Sequence, residues 1–225
     1  MKSGREGMML KLYVSKAYDK VEWYFLLYVL RKFSFREDWI AFMKEWIFSV
    51  SFFVLINGST SYFPSKQGLF QGDPLSPFLF IIMAKALERS LIFTTTLGKI
   101  EGIKPTSSCQ PISLQQFVDE TIIASISSIP QAKVVKKILG LYEFATGHGI
   151  KFEKSNIYFL NTDARIQLRL TRIIEFQVEN LSTSYLGIPL FKGGIKEDLR
   201  NVVIDRYSKI LVGWKGMMLS QDGKV

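Results

Sequence analysis

The chain has 225 residues, 48% hydrophobic and 14% aromatic, a composition that predicts a packed core and excludes a disordered polypeptide. Its formal net charge of +9 favours a polyanionic partner, nucleic acid first, although a basic surface that only aids solubility is the alternative. One cysteine, Cys109, and one histidine, His148, exclude a disulfide framework and a structural zinc site within the chain.

No segment is apolar enough to predict a signal peptide or a membrane span. The run from Trp46 to Ile56 is too short to cross a bilayer, and residues 75–97 are interrupted by Lys85, Glu88 and Arg89. A single cysteine also fits a reducing compartment. The sequence therefore predicts an intracellular protein, nuclear or cytoplasmic, with no membrane partner.

Strands and helices alternate through the first half of the chain. Apolar residues recur at helical spacing after Val21, and Asn57-Gly58 predicts a tight turn between two strands. The first of these strands, SFFVLI, has the composition of a buried strand. The predicted elements of this half are a strand at residues 9–15, helices at 21–33 and 37–48, and strands at 51–56 and 61–66.

Hairpins predominate in the second half. Pro130 predicts the start of a helix and Gly147 its end, while Asp119 and Glu120 form the predicted tip of a hairpin. The predicted elements are a helix at 75–93, strands at 112–118 and 121–127, a helix at 130–147, a strand at 156–160, a helix at 162–174, a hairpin beginning at Tyr185 and a helix at about 197–212. This pattern predicts an α+β fold, an antiparallel sheet with helices packed on one face.

The adjacent carboxylates of Asp119 and Glu120 permit two interpretations. Magnesium prefers hard oxygen ligands, often one or two carboxylates, and nucleotidyl transfer uses two such ions. A solvated acidic turn is the other interpretation, and it is the more common one for an isolated pair. The pair alone does not decide between them.

Two further turns place polar residues at the ends of predicted elements. Gln71-Gly72 opens the long string QGDPLSP, in which the glycine would let the backbone approach a ligand closely; a simple helix start is the alternative. Tyr18 and Asp19 follow the first predicted strand, and Asp19 is expected to cap the next helix.

Taken in order, five blocks resemble the reverse transcriptases of LINE-type (non-LTR) retrotransposons, most of all the copies found in plant genomes. The blocks are LKLYVSKAYDKVEW, QGLFQGDPLSPFLF, QFVDET, GHGIKFEKSNIYF and YLGIPL. The resemblance implies a polymerase palm at residues 1–180, with the acid-tipped hairpin at the centre of its sheet. It also implies a primer-grip hairpin and the start of a helical thumb at residues 181–225, with the fingers largely absent.

The same resemblance implies an RNA-directed DNA polymerase that acts on an RNA template and a DNA primer with Mg²⁺. Asp119 matches the family's essential metal-binding aspartate, and Glu120 stands in place of a second aspartate. Tyr13 occupies the position of a further aspartate, which binds both metals in the family.

Other matched positions imply contacts with nucleotide and primer. Tyr18 matches the aromatic residue beneath the sugar of the incoming nucleotide, and Gln71-Gly72 matches a segment near the nascent base pair. Lys154 matches a lysine near the nucleotide phosphates. Tyr185-Leu186-Gly187 matches the primer grip, whereas Phe70 stands where the family usually has arginine.

The departures from the family pattern fall on functional positions. Tyr13 is neutral at pH 7 and cannot bridge two magnesium ions, whose ligands lie at about 2.0–2.1 Å. Glu120 carries its charge one methylene further out, and a displacement of ~1 Å in such a site can cost roughly a hundredfold in rate. Gln115 and Gln116 interrupt a strand expected to be central and apolar, where a buried amide without a partner costs ~1–3 kcal/mol.

These observations predict a reverse transcriptase palm fragment that is catalytically inactive. A non-catalytic module that binds nucleic acid weakly and without sequence preference is the alternative from another class, and it rests on the basic charge. A third interpretation is the product of a decayed element with no function.

Overall fold

A computed structural model describes residues 6–14, 18–104, 108–117, 120–147, 149–191, 201, 204–205 and 207–209. The chain divides into two compact units, Met1–Glu179 and Asn180–Val225. The helices of the first unit are α1 (Trp23–Lys32), α2 (Glu37–Phe48), α3 (Ser76–Thr96), α4 (Ile129–Thr146) and α5 (Ala164–Ile174). Its strands are β1 (Gly7–Tyr13), β2 (Ser51–Ile56), β3 (Ser59–Pro64), β4 (Leu114–Phe117), β5 (Glu120–Ile126), β6 (Asn156–Leu160) and β7 (Gln177–Val178).

A five-stranded sheet organises the first unit, with the strand order β4-β5-β1-β6-β7. Its pairs are antiparallel except for the short parallel contact between β6 and β7. This arrangement confirms the antiparallel sheet but corrects the position of the β4–β5 hairpin. Strand β1 is at the centre, and β4 is an edge strand among the described residues.

One face of the sheet carries the larger core. Side chains alternate along a strand, and Met8, Leu10 and Leu12 of β1 are all buried on the same face. They pack in one cluster with α4 and α5, including Val135 and Leu170. This packing confirms that helices cover one face, and it leaves the opposite face of β1 for Lys11 and Tyr13.

Helices α4 and α5 begin and end where local signals place them. The Ser128 hydroxyl accepts a hydrogen bond from the backbone N–H of Gln131, and the Asp163 carboxylate accepts one from Arg165. Gly147 ends α4 in the left-handed conformation, with φ of 71°. Because these signals lie within a few residues of each helix end, the predicted boundaries agree closely with the observed ones.

The first helix departs from its predicted start. Helix α1 begins at Trp23, and its cap is the carboxylate of Glu22, which accepts a hydrogen bond from the backbone N–H of Phe25 at 2.9 Å. Asp19 lies in the preceding turn, so the prediction that it caps the helix is wrong. The turn spans residues 18–20, and Val21 and Glu22 separate it from Trp23, so Asp19 lies too far from the first helical N–H groups to cap them.

Strands β2 and β3 form a separate two-stranded sheet. The predicted burial of β2 is wrong, because its side chains from Phe52 to Ile56 are exposed. Aromatic pairs across the strands, Phe52 with Phe63 and Phe53 with Tyr62, stabilise the hairpin locally. The amino-acid composition of a strand predicts that its backbone is extended. Whether its side chains are buried depends on what packs against the strand.

The described part of the second unit includes a hairpin of β8 (Ser182–Tyr185) with β9 (Ile188–Phe191). The described residues of the predicted last helix, 201, 204–205 and 207–209, are helical. The rest of that helix lies outside the described residues. No helix in the described part of the chain is both long and apolar enough to cross a membrane.

Candidate functional site

The candidate site lies where the end of β1 meets the start of β5. Tyr13 is paired directly with Glu120, and Glu120 is paired on its other side with Phe117. Paired residues share a face of a sheet, so these three side chains lie on the face opposite the helices. Glu120 is part of β5, which corrects the prediction that it is at the hairpin tip. Val118 and Asp119 lie outside the described residues.

The Glu120 carboxylate is engaged by a lysine on the same face. Lys11 precedes Tyr13 by two residues, and its Nζ lies 3.4 Å from Oε1 of Glu120. Both side chains are largely shielded from solvent, at 17% and 26% exposure. A shielded pair of this kind is screened less by salt than a surface pair. The ammonium group of Lys11 therefore neutralises the charge that a cation would need.

Tyr13 is held on both sides. Its backbone N–H donates to the hydroxyl of Ser155 at 3.1 Å, and its carbonyl accepts from the N–H of Lys151. The Nζ of Lys154 lies 5.3 Å from the centroid of the Tyr13 ring, within cation–π distance. The structure thus brings Tyr13, Glu120 and Lys154 together and adds Lys11.

The described donors do not fit a site for two dications. The only charged oxygen ligand among them is the Glu120 carboxylate, which is paired with Lys11; Tyr13 offers a phenol, and the ammonium group of Lys154 would repel a cation. Magnesium sites need oxygen ligands that carry negative charge or a strong dipole toward the ion. Within the described ranges, no group of three or more His, Cys, Asp or Glu side chains could hold a metal ion.

Tyr18 faces a cavity of about 550 Å³ between α3 and β4. Its ring stacks on Phe80 of α3, with centroids 4.7 Å apart and planes at 16°. Gln115, Phe117 and the ion pair between Lys85 and Glu88 also line the cavity. Stacking on Phe80 fixes the Tyr18 ring as one wall of this cavity.

Gln71 and Gly72 lie on an exposed turn near Tyr18. The Gln71 amide donates to the carboxylate of Asp19 at 3.3 Å, which joins the two turns. Gly72 has φ of 97°, and a Cβ there would have no heavy atom within 4 Å. The glycine is thus required by backbone conformation, and the described neighbours do not crowd it. Asp73 precedes α3, and its Oδ2 accepts hydrogen bonds from the N–H groups of Leu75 and Ser76, where the helix begins.

The two glutamines of β4 have different environments. Gln115 is exposed, while Gln116 points to the helix side and hydrogen-bonds Tyr142 of α4. Burial raises the pKa of the Tyr142 phenol, and the bond with Gln116 opposes that rise. The predicted cost of a partnerless buried amide is therefore wrong. An edge strand tolerates the exposed glutamine, and the helix behind it supplies a partner for the other.

We expect Gln116→Leu to lower the free energy of unfolding by about 1 kcal/mol, because Tyr142 loses this partner. The double variant with Tyr142→Phe should recover much of that loss, giving a coupling of about 1 kcal/mol in urea denaturation. Additive effects of the two substitutions would contradict the hydrogen bond as the cause.

The raised pKa of Tyr142 also predicts a pH dependence. The folded state favours the neutral phenol, so the contribution of Tyr142 to the free energy of unfolding is constant below about pH 10, the pKa of tyrosine in the unfolded chain. That contribution declines as the pH rises above this value. Urea denaturation between about pH 8 and pH 11 should show a steeper decline for the native chain than for Tyr142→Phe. Equal slopes would contradict the burial effect.

The turn of the second unit's hairpin is Leu186-Gly187, with φ of 51° and 76°. Positive φ at both central residues is typical of a tight turn whose twist matches the strands. Tyr185 is paired with Ile188 at the end of the hairpin. The predicted primer-grip residues therefore form the turn of the hairpin and its last strand pair.

Four residues with direct contacts were missed by the sequence predictions. These are Lys11, Phe80, Tyr142 and Ser155. Only Lys11 had a sequence signal, since its spacing of two residues from Tyr13 places both on one face of a strand. The other three belong to separate elements, whose packing brings Phe80 to Tyr18, Tyr142 to Gln116 and Ser155 to Tyr13.

Residues 1–190 match the family described as reverse transcriptase (RNA-dependent DNA polymerase). The chain belongs to the reverse transcriptase family. This match confirms that the five blocks indicate a reverse transcriptase. Members of this family are nucleotidyltransferases and are generally metal-dependent.

An uncharacterized mitochondrial protein of Arabidopsis thaliana is 33% identical to this reverse transcriptase chain over 110 residues. The aligned region covers 48% of this chain and 88% of that protein.

Solved telomerase structures resemble this reverse transcriptase chain in fold. A Candida tropicalis telomerase in complex with a fragment of telomeric RNA has a TM-score of 0.61 at 16% identity, over 88% of this chain and 30% of that one. The corresponding Candida albicans structure gives 0.57 at 14% identity, over 84% and 31%. The chain spans about a third of the length of these telomerases. The likeness supports a partial polymerase palm.

Proposed function

We propose that the chain is the palm of a LINE-type (non-LTR) reverse transcriptase that no longer catalyses nucleotidyl transfer. One observation carries the proposal: Tyr13 stands beside Glu120 where the family pattern has an aspartate, and Lys11 pairs with the Glu120 carboxylate. Glu120 is then the only carboxylate that the described residues bring to this position, and Lys11 already pairs with it. One such carboxylate is insufficient for the two-ion arrangement that activates a primer hydroxyl.

The remaining matched residues are assigned to binding. In this proposal Tyr18 lies beneath a nucleotide sugar, Gln71 and Gly72 face the nascent base pair, and Lys154 faces phosphate. The stacking of Tyr18 on Phe80 and the link between Gln71 and Asp19 support an ordered platform for these contacts. Residues 1–180 form the palm and residues 181–225 contribute the primer grip at Tyr185-Leu186-Gly187 and the start of a thumb.

Primer extension tests the proposal directly. Purified protein is incubated with poly(A) annealed to oligo(dT), dTTP and either Mg²⁺ or Mn²⁺, beside an active reverse transcriptase as positive control. We expect no extension with either ion, because the described site lacks the donors for two of them. Extension that disappears in Asp119→Ala would reject the proposal.

A second candidate function is non-catalytic binding of nucleic acid. It is supported by the net charge of +9 and by the telomerases of similar fold, two of which are described in complex with telomeric RNA. Fluorescence anisotropy with single-stranded RNA and an RNA–DNA duplex should give weak binding that falls steeply between about 50 and 200 mM salt. Flat titrations at the lower salt concentration would reject it.

A further inference from the structure

Helix α3 is apolar on more sides than its neighbours cover. Leu79, Met83, Leu87 and Leu91 are buried in the two cores. A helix that is hydrophobic all round is normally buried all round. On another side of α3, however, the side chain of Phe93 is 64% exposed.

Two cavities follow this uncovered side. One has a volume of about 360 Å³ and lies between α1 and α3, and the other has about 340 Å³ and lies between α3 and α4. Phe25, Ala86 and Ser90 line both of them. The cavities are therefore two halves of one depression, here named the α1–α3–α4 groove.

The groove has a narrow floor and apolar walls. Ala86 and Ser90 are one turn apart on α3 and form the bottom of the groove. Because their side chains are small, space remains above them between α1 and α4. The walls include Tyr28, which is 52% exposed, and Leu141, which is 59% exposed. A contiguous exposed apolar patch rimmed by polar residues is one mark of a protein–protein interaction site.

One end of the groove is positively charged. The Nζ of Lys32 lies 5.3 Å from the centroid of the Tyr28 ring, and the guanidinium of Arg89 lies 6.0 Å from that of Phe33. Both cations line the half between α1 and α3. Among the described residues, no Asp or Glu lines either half. An occupant with carboxylates at this end would be electrostatically complementary.

We propose that the α1–α3–α4 groove docks an amphipathic, acidic α-helix of a protein partner. Apolar side chains at i, i+3, i+4 and i+7 of that helix would fill the two halves on either side of Phe25, and its acidic end would face Lys32 and Arg89. Nucleic acid fits poorly, because the groove is mostly apolar and Lys32 and Arg89 are the only cations among the described residues that line it. The role does not depend on polymerase activity, because Tyr13 and Glu120 are not part of the groove.

A pair of synthetic 18-residue helices tests the proposal. Both carry a leucine stripe at i, i+3, i+4 and i+7; one has three glutamates at one end and the other has three lysines there. Each is labelled and titrated with the 225-residue chain by fluorescence anisotropy. We expect the glutamate peptide to bind at least about tenfold more tightly than the lysine peptide.

Variants of the chain locate the binding. Arg89→Glu should weaken the binding of the glutamate peptide about tenfold. Ser90→Arg should abolish that binding, because the longer side chain fills the floor that both halves share, even though it adds a favourable charge. Lys44→Glu is the matched control, because Lys44 also lies over an aromatic ring, 5.9 Å from the centroid of Phe48, but outside the groove. Circular dichroism checks that each variant folds.

Three outcomes would overturn the proposal. The glutamate peptide shows no binding at the highest soluble protein concentration, or Ser90→Arg binds it as the native chain does. Alternatively, sedimentation velocity shows that the chain self-associates through the groove and that Ser90→Arg abolishes this association. In that last case the occupant is a second copy.

Discussion

Replacing Tyr13 and Glu120 together by aspartate is expected to raise the affinity of the chain for Mn²⁺ at least about tenfold. The two positions are directly paired, so their Cβ atoms lie about 4.5–5.5 Å apart on one face of the sheet. The double variant places two short carboxylates there and leaves Lys11 to pair with only one of them. Titration calorimetry at fixed ionic strength measures the change.

The matched control for this prediction is Met9→Asp with Glu120→Asp. Met9 lies on the same strand and the same face as Tyr13, four residues away, so this variant has the same charge without the same geometry. We expect its affinity for Mn²⁺ to stay close to that of the native chain. Equal gains in the two double variants would mean that net charge, and not a restored pair, explains the effect.

Substitution of Gly68 by alanine is expected to lower the free energy of unfolding by about 2–5 kcal/mol. The residue has φ of 92°, which costs a non-glycine residue roughly 1–2 kcal/mol, and a Cβ there would lie 2.7 Å from the carbonyl oxygen of Asp19. Overpacking against a rigid group adds roughly 1–3 kcal/mol. Urea denaturation measures the loss.

Gly72→Ala provides a control that separates strain from collision. Gly72 has nearly the same φ, 97°, but a Cβ there meets nothing within 4 Å. Its substitution should therefore cost only the conformational part, about 1–2 kcal/mol. If both variants lose the same stability, contact with the Asp19 backbone is not what constrains Gly68.

Substitution of Gly68 would also disturb the candidate site, because Gly68 and its neighbour bond to the turn that carries Tyr18. Its N–H donates to the carbonyl of Val21, its carbonyl accepts from the indole of Trp23, and the neighbouring N–H of Leu69 donates to the carbonyl of Tyr18. These bonds hold the turn that carries Tyr18 against the loop that leads to Gln71. A shift at Gly68 would displace both turns together.

Local signals in the sequence predicted most of the elements and the family. The Asn57-Gly58 turn, the helix start at Pro130 and the helix end at Gly147 each depend on residues only a few positions apart. The family blocks are likewise continuous strings. Short-range backbone preferences and capping act within such windows, so they can be identified without knowing the fold.

Partnerships between distant residues could not be predicted in this way. Tyr13 and Ser155 are 142 positions apart, and Lys11 meets Glu120 only because β1 pairs with β5. The same is true of Gln116, whose strand lies at the edge of the sheet and whose partner, Tyr142, comes from α4. The chemistry of a side chain determines which bonds it can form. The packing of separate elements determines which of those bonds are made, and therefore whether a carboxylate is available to a metal.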